Sequence, residues 1–585
     1  MCKPTFIIHT MNGPLPPPHY PLDVPLKVMA GRLTHGLSPT ALALSLADWW
    51  LHLAMSPGKQ VELAQSAALK WLQWMASPEL ELHRLPAVQG DRRFAPPPWT
   101  RPPFDSLARA FLLAGQWWSE AVRDVPGVSR HHEQVAGFVI RQWLDMASPS
   151  NLPWANPEVL DTTARTGGFN LWQGGVNWWR DAMLVAAGSP PPGAERFTPG
   201  EEVAITPGRV IFRNRLMELI QYEPSTPTVY PEPVLILPSW IMKYYILDLS
   251  PHNSLVRYLV SRGHTVFMVS WLNPGPEDRD LGMDDYLRLG AFAAIEAVRR
   301  AQPHRAIHLT GYCLGGTLAA IAAASMTSRD DPHLKSLTLL AAQTDFHDPG
   351  ELGTFIDESQ VAFLEDIMCD QGVLDGRQMA GAFALINSKD LVWSKLVHAY
   401  LMGGSTQLDD LHAWNADATR MPARMRSEYL RRLYLNNDLA EGRYAVNGRA
   451  VALEDLRMPI FAVGTERDHV SPWRSVYKIH LMTRTEVTFA LTSGGHNVGI
   501  VNPPGSSVAR HIYHRCATRP DDAPYLDADR WLDETPVSAG SWWPAWQAWL
   551  AARSGPPAPP LPIGGRGRSR LLPLEDAPGS YVHAT

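Results

Sequence analysis

Two kinds of hydrophobic patterning divide the 585-residue chain. From about Leu42 to Ala187 apolar residues recur at helical spacing, broken by proline-rich loops such as Pro96-Pro97-Pro98-Trp99-Thr100-Arg101-Pro102-Pro103, and strand patterns are scarce. From Thr206 onward short apolar runs take over, at Val234 to Leu237, Thr265 to Ser270, Ile307 to Thr310 and Ser336 to Leu340, with helical stretches such as Met283 to Ala301 between them. Strands alternating with helices predict a parallel sheet covered on both faces. The segment Ser189-Pro190-Pro191-Pro192-Gly193 separates the two regimes. The chain therefore reads as α/β, with a mainly helical N-terminal domain over 1–195, an α/β domain over 196–550 and a Pro/Gly-rich tail over 551–585 that has the composition of a flexible linker.

The sharpest local signal is Ile307-His308-Leu309-Thr310-Gly311-Tyr312-Cys313-Leu314-Gly315-Gly316, a strand running into G-x-C-x-G and then an alanine-rich helix from near Thr317. This is the nucleophile-elbow pattern of α/β-hydrolases with cysteine in place of serine, and its glycines stand where side chains would block so sharp a turn. On that pattern alone, a buried cysteine packing as a small apolar group fits about equally well. The later chain decides between them, because in this fold an acid and then a histidine follow, each on a loop after a strand. Pro459-Ile460-Phe461-Ala462-Val463-Gly464 reads as a buried strand, and the loop Thr465 to Trp473 after it offers Asp468. Val487-Thr488-Phe489-Ala490-Leu491 has strand composition, and the glycine-rich Thr492-Ser493-Gly494-Gly495-His496-Asn497-Val498-Gly499 follows with His496. The joint order selects Cys313, Asp468 and His496 as a catalytic triad.

Between Leu340 and Pro459 lies far more chain than one β-α unit of roughly 30 residues uses. The excess, from about 344 to 439, reads as a largely helical cap inserted into the α/β-hydrolase core.

Composition narrows the function classes. The net charge of −6 is small for this length and no long run of like charge occurs, so nucleic-acid binding gains no support. The Gly564-Gly565-Arg566-Gly567-Arg568-Ser569-Arg570 segment lies beside a proline run and fits a linker better than a nucleic-acid arm. Four cysteines, Cys2, Cys313, Cys369 and Cys516, are too sparse for a disulfide framework and suit a reducing cytoplasm. Cys369 and Cys516 lack elbow flanks and read as structural. The N-terminal apolar run is too short for a signal peptide, and no run approaches the ~18 apolar residues of a membrane helix. The glycines of 166–175 lack a phosphate-loop pattern, and His131-His132 has no zinc-ligand spacing around it, so no metal site is expected.

The chain resembles the polyhydroxyalkanoate synthases, of the long, single-subunit (class I-like) kind, from about Phe94 to Trp549. The resemblance lies in Gly311-Tyr312-Cys313-Leu314-Gly315-Gly316-Thr317, in Pro238-Ser239-Trp240-Ile241-Met242-Lys243-Tyr244-Tyr245-Ile246-Leu247-Asp248-Leu249 and in Trp414-Asn415-Ala416-Asp417-Ala418-Thr419. Ser239 and Met242 depart from the proline and asparagine that the family pattern has there. The resemblance implies polymerisation of (R)-3-hydroxyacyl-coenzyme A, short groups such as 3-hydroxybutyryl foremost, with release of coenzyme A. It places the nucleophile on Cys313, the aspartate on Asp468 and the base on His496. It also implies no cofactor beyond coenzyme A as part of the substrate, a homodimer, a cap that moves to admit substrate, and residence in the cytoplasm at the surface of polyester granules, beside granule-associated proteins.

A cysteine thiolate takes an acyl group from a coenzyme A thioester at little free-energy change, and transfer to a hydroxyl then gives the more stable oxygen ester. His496 or Asp468 activates that hydroxyl; the sequence leaves both open. The oxyanion needs backbone donors, expected at Leu314 and, in the loop after Val234 to Leu237, at Ile241 ahead of Trp240. Two other functions fit parts of the pattern: a thioesterase or intracellular polyester depolymerase with the same triad, and a non-catalytic granule scaffold with a tryptophan-rich surface.

Overall fold

A computed structural model describes residues 23–34, 36–76, 91–187, 189, 192–328, 331, 333–376, 388–405, 408–505 and 512–584. Cys2 and the proline run 14–18 lie outside the described residues, as do Pro190 and Pro191 of the expected boundary.

Seven helices open the described chain: α1 (Val24–Leu33), α2 (Pro39–Ala54), α3 (Pro57–Ala76), α4 (Phe104–Val122), α5 (Arg130–Met146), α6 (Pro157–Thr166) and α7 (Phe169–Ala187). Their starts follow local chemistry. Ser38 and Ser129 accept from the Ala41 and His132 amides, Asn156 accepts from Glu158 and Val159, and prolines occupy the first turns of α2 and α6.

An eleven-stranded sheet follows, with β1 (Gly208–Arg213), β2 (Met217–Tyr222), β3 (Val234–Leu237), β4 (Val266–Trp271), β5 (Ile307–Tyr312), β6 (Leu334–Leu340), β7 (Ile460–Thr465), β8 (Val487–Thr492), β9 (Tyr513–Arg519), β10 (Val537–Ala539) and β11 (Glu575–Asp576). The spatial order is β10-β9-β8-β7-β6-β5-β3-β4-β2-β1-β11. Strands β3 to β8 pair in parallel and the outer ones antiparallel. Every residue of β3, β5, β7 and β8 is buried, as mostly apolar strands of a parallel sheet covered on both faces require. Helices α8 (Leu255–Ser261), α9 (Ala293–Ala301) and α10 (Leu314–Thr327) cross over between parallel strands. Because these strands are parallel, the loops after β3, β5, β7 and β8 leave the same edge of the sheet.

Between β6 and β7 the chain forms α11 (Glu358–Gln371), α12 (Asp410–Ala416) and α13 (Ala423–Tyr429), the last continuing in wider helical turns over Leu430–Leu435. The N-terminal helices grip this insertion. Lys27 pairs with Asp366 at 2.5 Å, Gln360 bonds Ser38 and Gly36, and Asn170 and Asn177 bond the Leu401 and Ala399 carbonyls.

The tail differs from expectation. Residues 551–584 are not a free linker: α14 (Trp543–Ala552) buries Trp543, Trp546 and Trp549, β11 pairs with β1, and Leu571 and Val582 are buried. The cause is polar demand on the sheet. Glu218 is fully buried and accepts from Ser580 Oγ at 2.8 Å and the Tyr581 amide at 3.0 Å, and Gln221 accepts from the Gly564 amide at 2.8 Å. An extended Pro/Gly segment has free amides to satisfy them.

Candidate active site

At the end of β5 the chain reverses sharply into α10, and Cys313 takes up the turn at φ 52°, ψ −122°. A non-glycine residue there is strained, and the strain persists only because the surroundings fix it. The flanking glycines make it possible. A Cβ on Gly311 would lie 2.3 Å from Gly316 Cα, and one on Gly315 would lie 2.1 Å from the Leu237 carbonyl oxygen. Glycine at both positions lets α10 close onto the ends of β3 and β5.

Asp468 and His496 come to the same place from β7 and β8. His496 Nδ1 donates to Asp468 Oδ2 at 2.8 Å, and the imidazole makes a further side-chain hydrogen bond with Cys313. Asp468 is fixed from its other sides: Thr465 Oγ1 donates to Oδ2 at 3.0 Å, and the Val470 and Ser471 amides donate to Oδ1 at 2.9 and 2.8 Å. Burial opposes charge on His496, but Asp468 first and Cys313 second outweigh it and hold the imidazole well above its usual range. The base loop is anchored from α14, where the Trp542 and Trp543 indoles donate to the Gly499 and Ile500 carbonyls at 3.0 and 2.9 Å.

Leu314 and Ile241 line one narrow cavity of about 70 Å³ together with Cys313. Leu314 opens α10, whose first-turn amides have no partner within the helix. The Ile241 amide has only Ser239 Oγ, at 3.5 Å, the outer limit of a hydrogen bond. Trp240 turns the other way, into the core, with its indole against Met425 Sδ and among the rings of Trp271 and Tyr286.

Three features went unread in the sequence. First, Trp414 to Thr419 clamps the loop after β3: Thr419 Oγ1 donates to the Trp240 carbonyl at 2.8 Å, the Thr419 amide to the Ile241 carbonyl at 3.4 Å, and Trp414 Nε1 to the Lys243 carbonyl at 2.7 Å. Second, Tyr312 donates to Asn497 Oδ1 at 2.7 Å, tying the elbow to the residue after His496. Third, Arg426, Tyr429, Leu430 and Tyr434 form the cavity's ceiling. Burial pushes the Tyr434 hydroxyl up to about 12, with Cys313 adding to the rise. Of the other cysteines, no disulfide joins Cys369 to Cys516, and burial pushes the Cys516 thiol up to about 11, which keeps it unreactive. Among the described residues no cluster of His, Cys, Asp and Glu could hold a metal ion.

Comparison with known proteins gives three family matches: "Poly-beta-hydroxybutyrate polymerase N terminal" over residues 17–59, "Poly-beta-hydroxybutyrate polymerase (PhaC) N-terminus" over 90–259 and "alpha/beta hydrolase fold" over 232–503. The poly(3-hydroxyalkanoate) polymerase of Methylorubrum extorquens is 39% identical over 549 residues, spanning 92% of this chain and 88% of that one. The corresponding polymerase subunit of Rhizobium meliloti is 37% identical over 84% of this chain and 80% of its own. That of Cupriavidus necator is 35% identical over 84% of this chain and 83% of its own.

Proposed function

The chain belongs to the poly(3-hydroxyalkanoate) polymerase family and is an enzyme of polyester synthesis; on that premise we propose that it polymerises (R)-3-hydroxyacyl-coenzyme A through a covalent thioester on Cys313, releasing coenzyme A. The observation that carries this reading is the hydrogen-bonded line Cys313–His496–Asp468 opening under a narrow, mostly apolar cavity.

In the reaction His496 takes the thiol proton, and the Cys313 thiolate attacks the substrate carbonyl. The oxyanion is held by the amides of Leu314 and Ile241, and its collapse expels the coenzyme A thiolate, which His496 reprotonates. The hydroxyl of a second hydroxyacyl group then attacks the enzyme thioester. We assign activation of that hydroxyl to His496, because four hydrogen bonds already occupy the acceptor sites of the Asp468 carboxylate. Asp468 orients the imidazole and stabilises its cation.

Synthesis instead of hydrolysis depends on which nucleophile reaches the thioester. Phe346, Leu352, Ile356, Leu430 and Val470 wall the cavity, and a wall of this kind favours a carbon chain bearing a hydroxyl over water. A cavity this small also requires the cap to shift for substrate to enter, since pockets for ligands of this size span ~300 Å³ or more. Half-exposed indoles on the N-terminal helices, Trp172, Trp178 and Trp179 among them, support work at a granule surface. No disulfide joins the described cysteines, which suits a reducing cytoplasm, and the homodimer rests on family resemblance alone.

The test is the product that purified protein makes from 3-hydroxybutyryl-coenzyme A. Insoluble polyester with stoichiometric coenzyme A release supports the reading; free 3-hydroxybutyrate in its place would make the chain a thioesterase.

A further inference from the structure

The ceiling over Cys313 carries a charge that the reaction above does not use. Arg426, Tyr429, Leu430 and Tyr434 stand at i, i+3, i+4 and i+8 along α13 and its extension, and all four face the cavity. The other arginines of this segment have acids: Arg424 bonds Glu428 at 2.8 Å, Arg431 bonds Glu365 at 2.8 Å, and Arg432 lies 4.0 Å from Asp438. Arg426 has none among the described residues. Its Nη1 reaches Met421 Sδ at 3.6 Å, its guanidinium lies 5.9 Å from the Tyr429 ring centre, and its Nε is shut from solvent without a hydrogen-bond partner. Burial draws the group below its ordinary range, with only the two tyrosines opposing.

Arg426 is only partly buried, but its Nε is shut from solvent with no acceptor, and a guanidinium donor left in that state is costly. The acceptor it lacks has to come from whatever fills the cavity. The rest of the lining is mostly apolar, with Phe346, Leu352, Ile356 and Val470 beside the polar Thr317, Gln343 and Ser471, and suits a short acyl chain with an oxygen set a few atoms from the sulfur. An acyl group on Cys313 with oxygen on its third carbon has that form.

We propose that Arg426 is a specificity-determining residue: its guanidinium donates a hydrogen bond to the oxygen on the third carbon of the acyl group held by Cys313, whether free hydroxyl or ester. The enzyme thereby prefers 3-oxygenated acyl groups over plain ones of the same length. This rests on the thioester reading of Cys313, and the test separates the two.

Full-length enzyme is mixed with 3-hydroxybutyryl-coenzyme A or butyryl-coenzyme A, quenched over a time course, and the Cys313 peptide is weighed by mass spectrometry. Wild type is expected to acylate faster with the hydroxylated substrate. Arg426→Met should cut that rate roughly tenfold to a hundredfold, the worth of a hydrogen bond to a charged group, while changing the butyryl rate less than about threefold. Arg426→Lys should keep part of the preference. Thermal unfolding of Arg426→Met should occur at or above the wild-type temperature, since a partly buried charge without an acid partner is removed. Should that variant fail to fold, Arg426→Leu, which likewise has no donor, replaces it with the same expected loss of preference. An undiminished preference in the folded variant, or an equal loss for both substrates, overturns the assignment. No mass on Cys313 from either thioester in wild type would instead remove the thioester reading, and the role of Arg426 with it.

Discussion

The sheet around Cys313 and the helices of residues 24–187 are both rich in large apolar side chains, and they use them in opposite ways. In the sheet, β3, β5, β7 and β8 bury every residue, and Trp542, Trp543 and Trp546 lie within the same core. In the N-terminal helices, Trp50 is 61% exposed, Trp143 69% and Trp172 63%. The helices are fastened to the cap by polar ties such as Ser38 to Gln360 and Asn177 to Ala399, while the sheet is fastened by packing on every side. Packing of that density is what can hold a strained residue such as Cys313 in place. The contrast teaches that geometry for chemistry resides in the sheet and its loops, and that the helices supply a surface and a brace. Substitutions should separate the two.

The largest effect belongs to Asp468→Asn. By losing the charge that orients His496 it should lower polymer synthesis by roughly 10²-fold to 10⁴-fold, measured as coenzyme A release. The same change should lower the His496 ionisation seen by NMR. With its folded-state value raised, the wild-type imidazolium stabilises the fold fully below the unfolded value of about 6.5, and that contribution is lost as pH rises through the folded value. In the Asp468→Asn variant this loss should move to lower pH; an unmoved titration would mean that Asp468 does not govern the base.

Next comes Gly315→Ala. Its Cβ would meet the Leu237 carbonyl at 2.1 Å, so the elbow has to open. We expect destabilisation of about 2–3 kcal/mol by chemical denaturation, with activity reduced further than stability. Wild-type behaviour would show that the core is looser than its packing implies.

A smaller effect is expected from Thr419→Val, which keeps shape but removes the donor to the Trp240 carbonyl. One buried hydrogen bond is worth about 1 kcal/mol. If the clamp positions the Ile241 amide for the oxyanion, the roughly fivefold loss should fall on kcat and leave KM in place. A loss confined to KM would mean that it merely shapes the entrance.

The smallest effect on the fold should come from Trp178→Ser with Trp179→Ser. Both side chains are more than half exposed, so stability should stay within about 0.5 kcal/mol and acylation of Cys313 should be unchanged. Binding of the protein to isolated polyester particles should fall. Equal binding by variant and wild type would remove the surface role assigned to this face.

How far the sequence could be read follows the same divide. The loops bearing Cys313, Asp468 and His496 were legible because each follows a short, mostly apolar run with strand composition, and because glycines mark the elbow. The path of residues 551–584 was not, since proline and glycine signal the absence of regular structure and say nothing about packing. Its partners, Glu218 and Gln221, lie more than 300 residues earlier. Arg426, Tyr429 and Tyr434 do share one helical face in the sequence. Which face looks down on Cys313 is decided only when the cap folds over β5, as is the reach of Thr419 to Trp240. The sequence alone could not divide the N-terminal tryptophans that pack, such as Trp49, from those that face outward, such as Trp50.

The central claim is that Cys313 carries the growing ester. It is tested most directly by quenching the enzyme during turnover of 3-hydroxybutyryl-coenzyme A and weighing its cysteine peptides. The account predicts hydroxybutyryl or oligomeric ester mass on the Cys313 peptide, absent from a Cys313→Ala variant that makes no polymer. An unmodified Cys313 in enzyme that is making polymer, or acyl groups found on another residue, would contradict it.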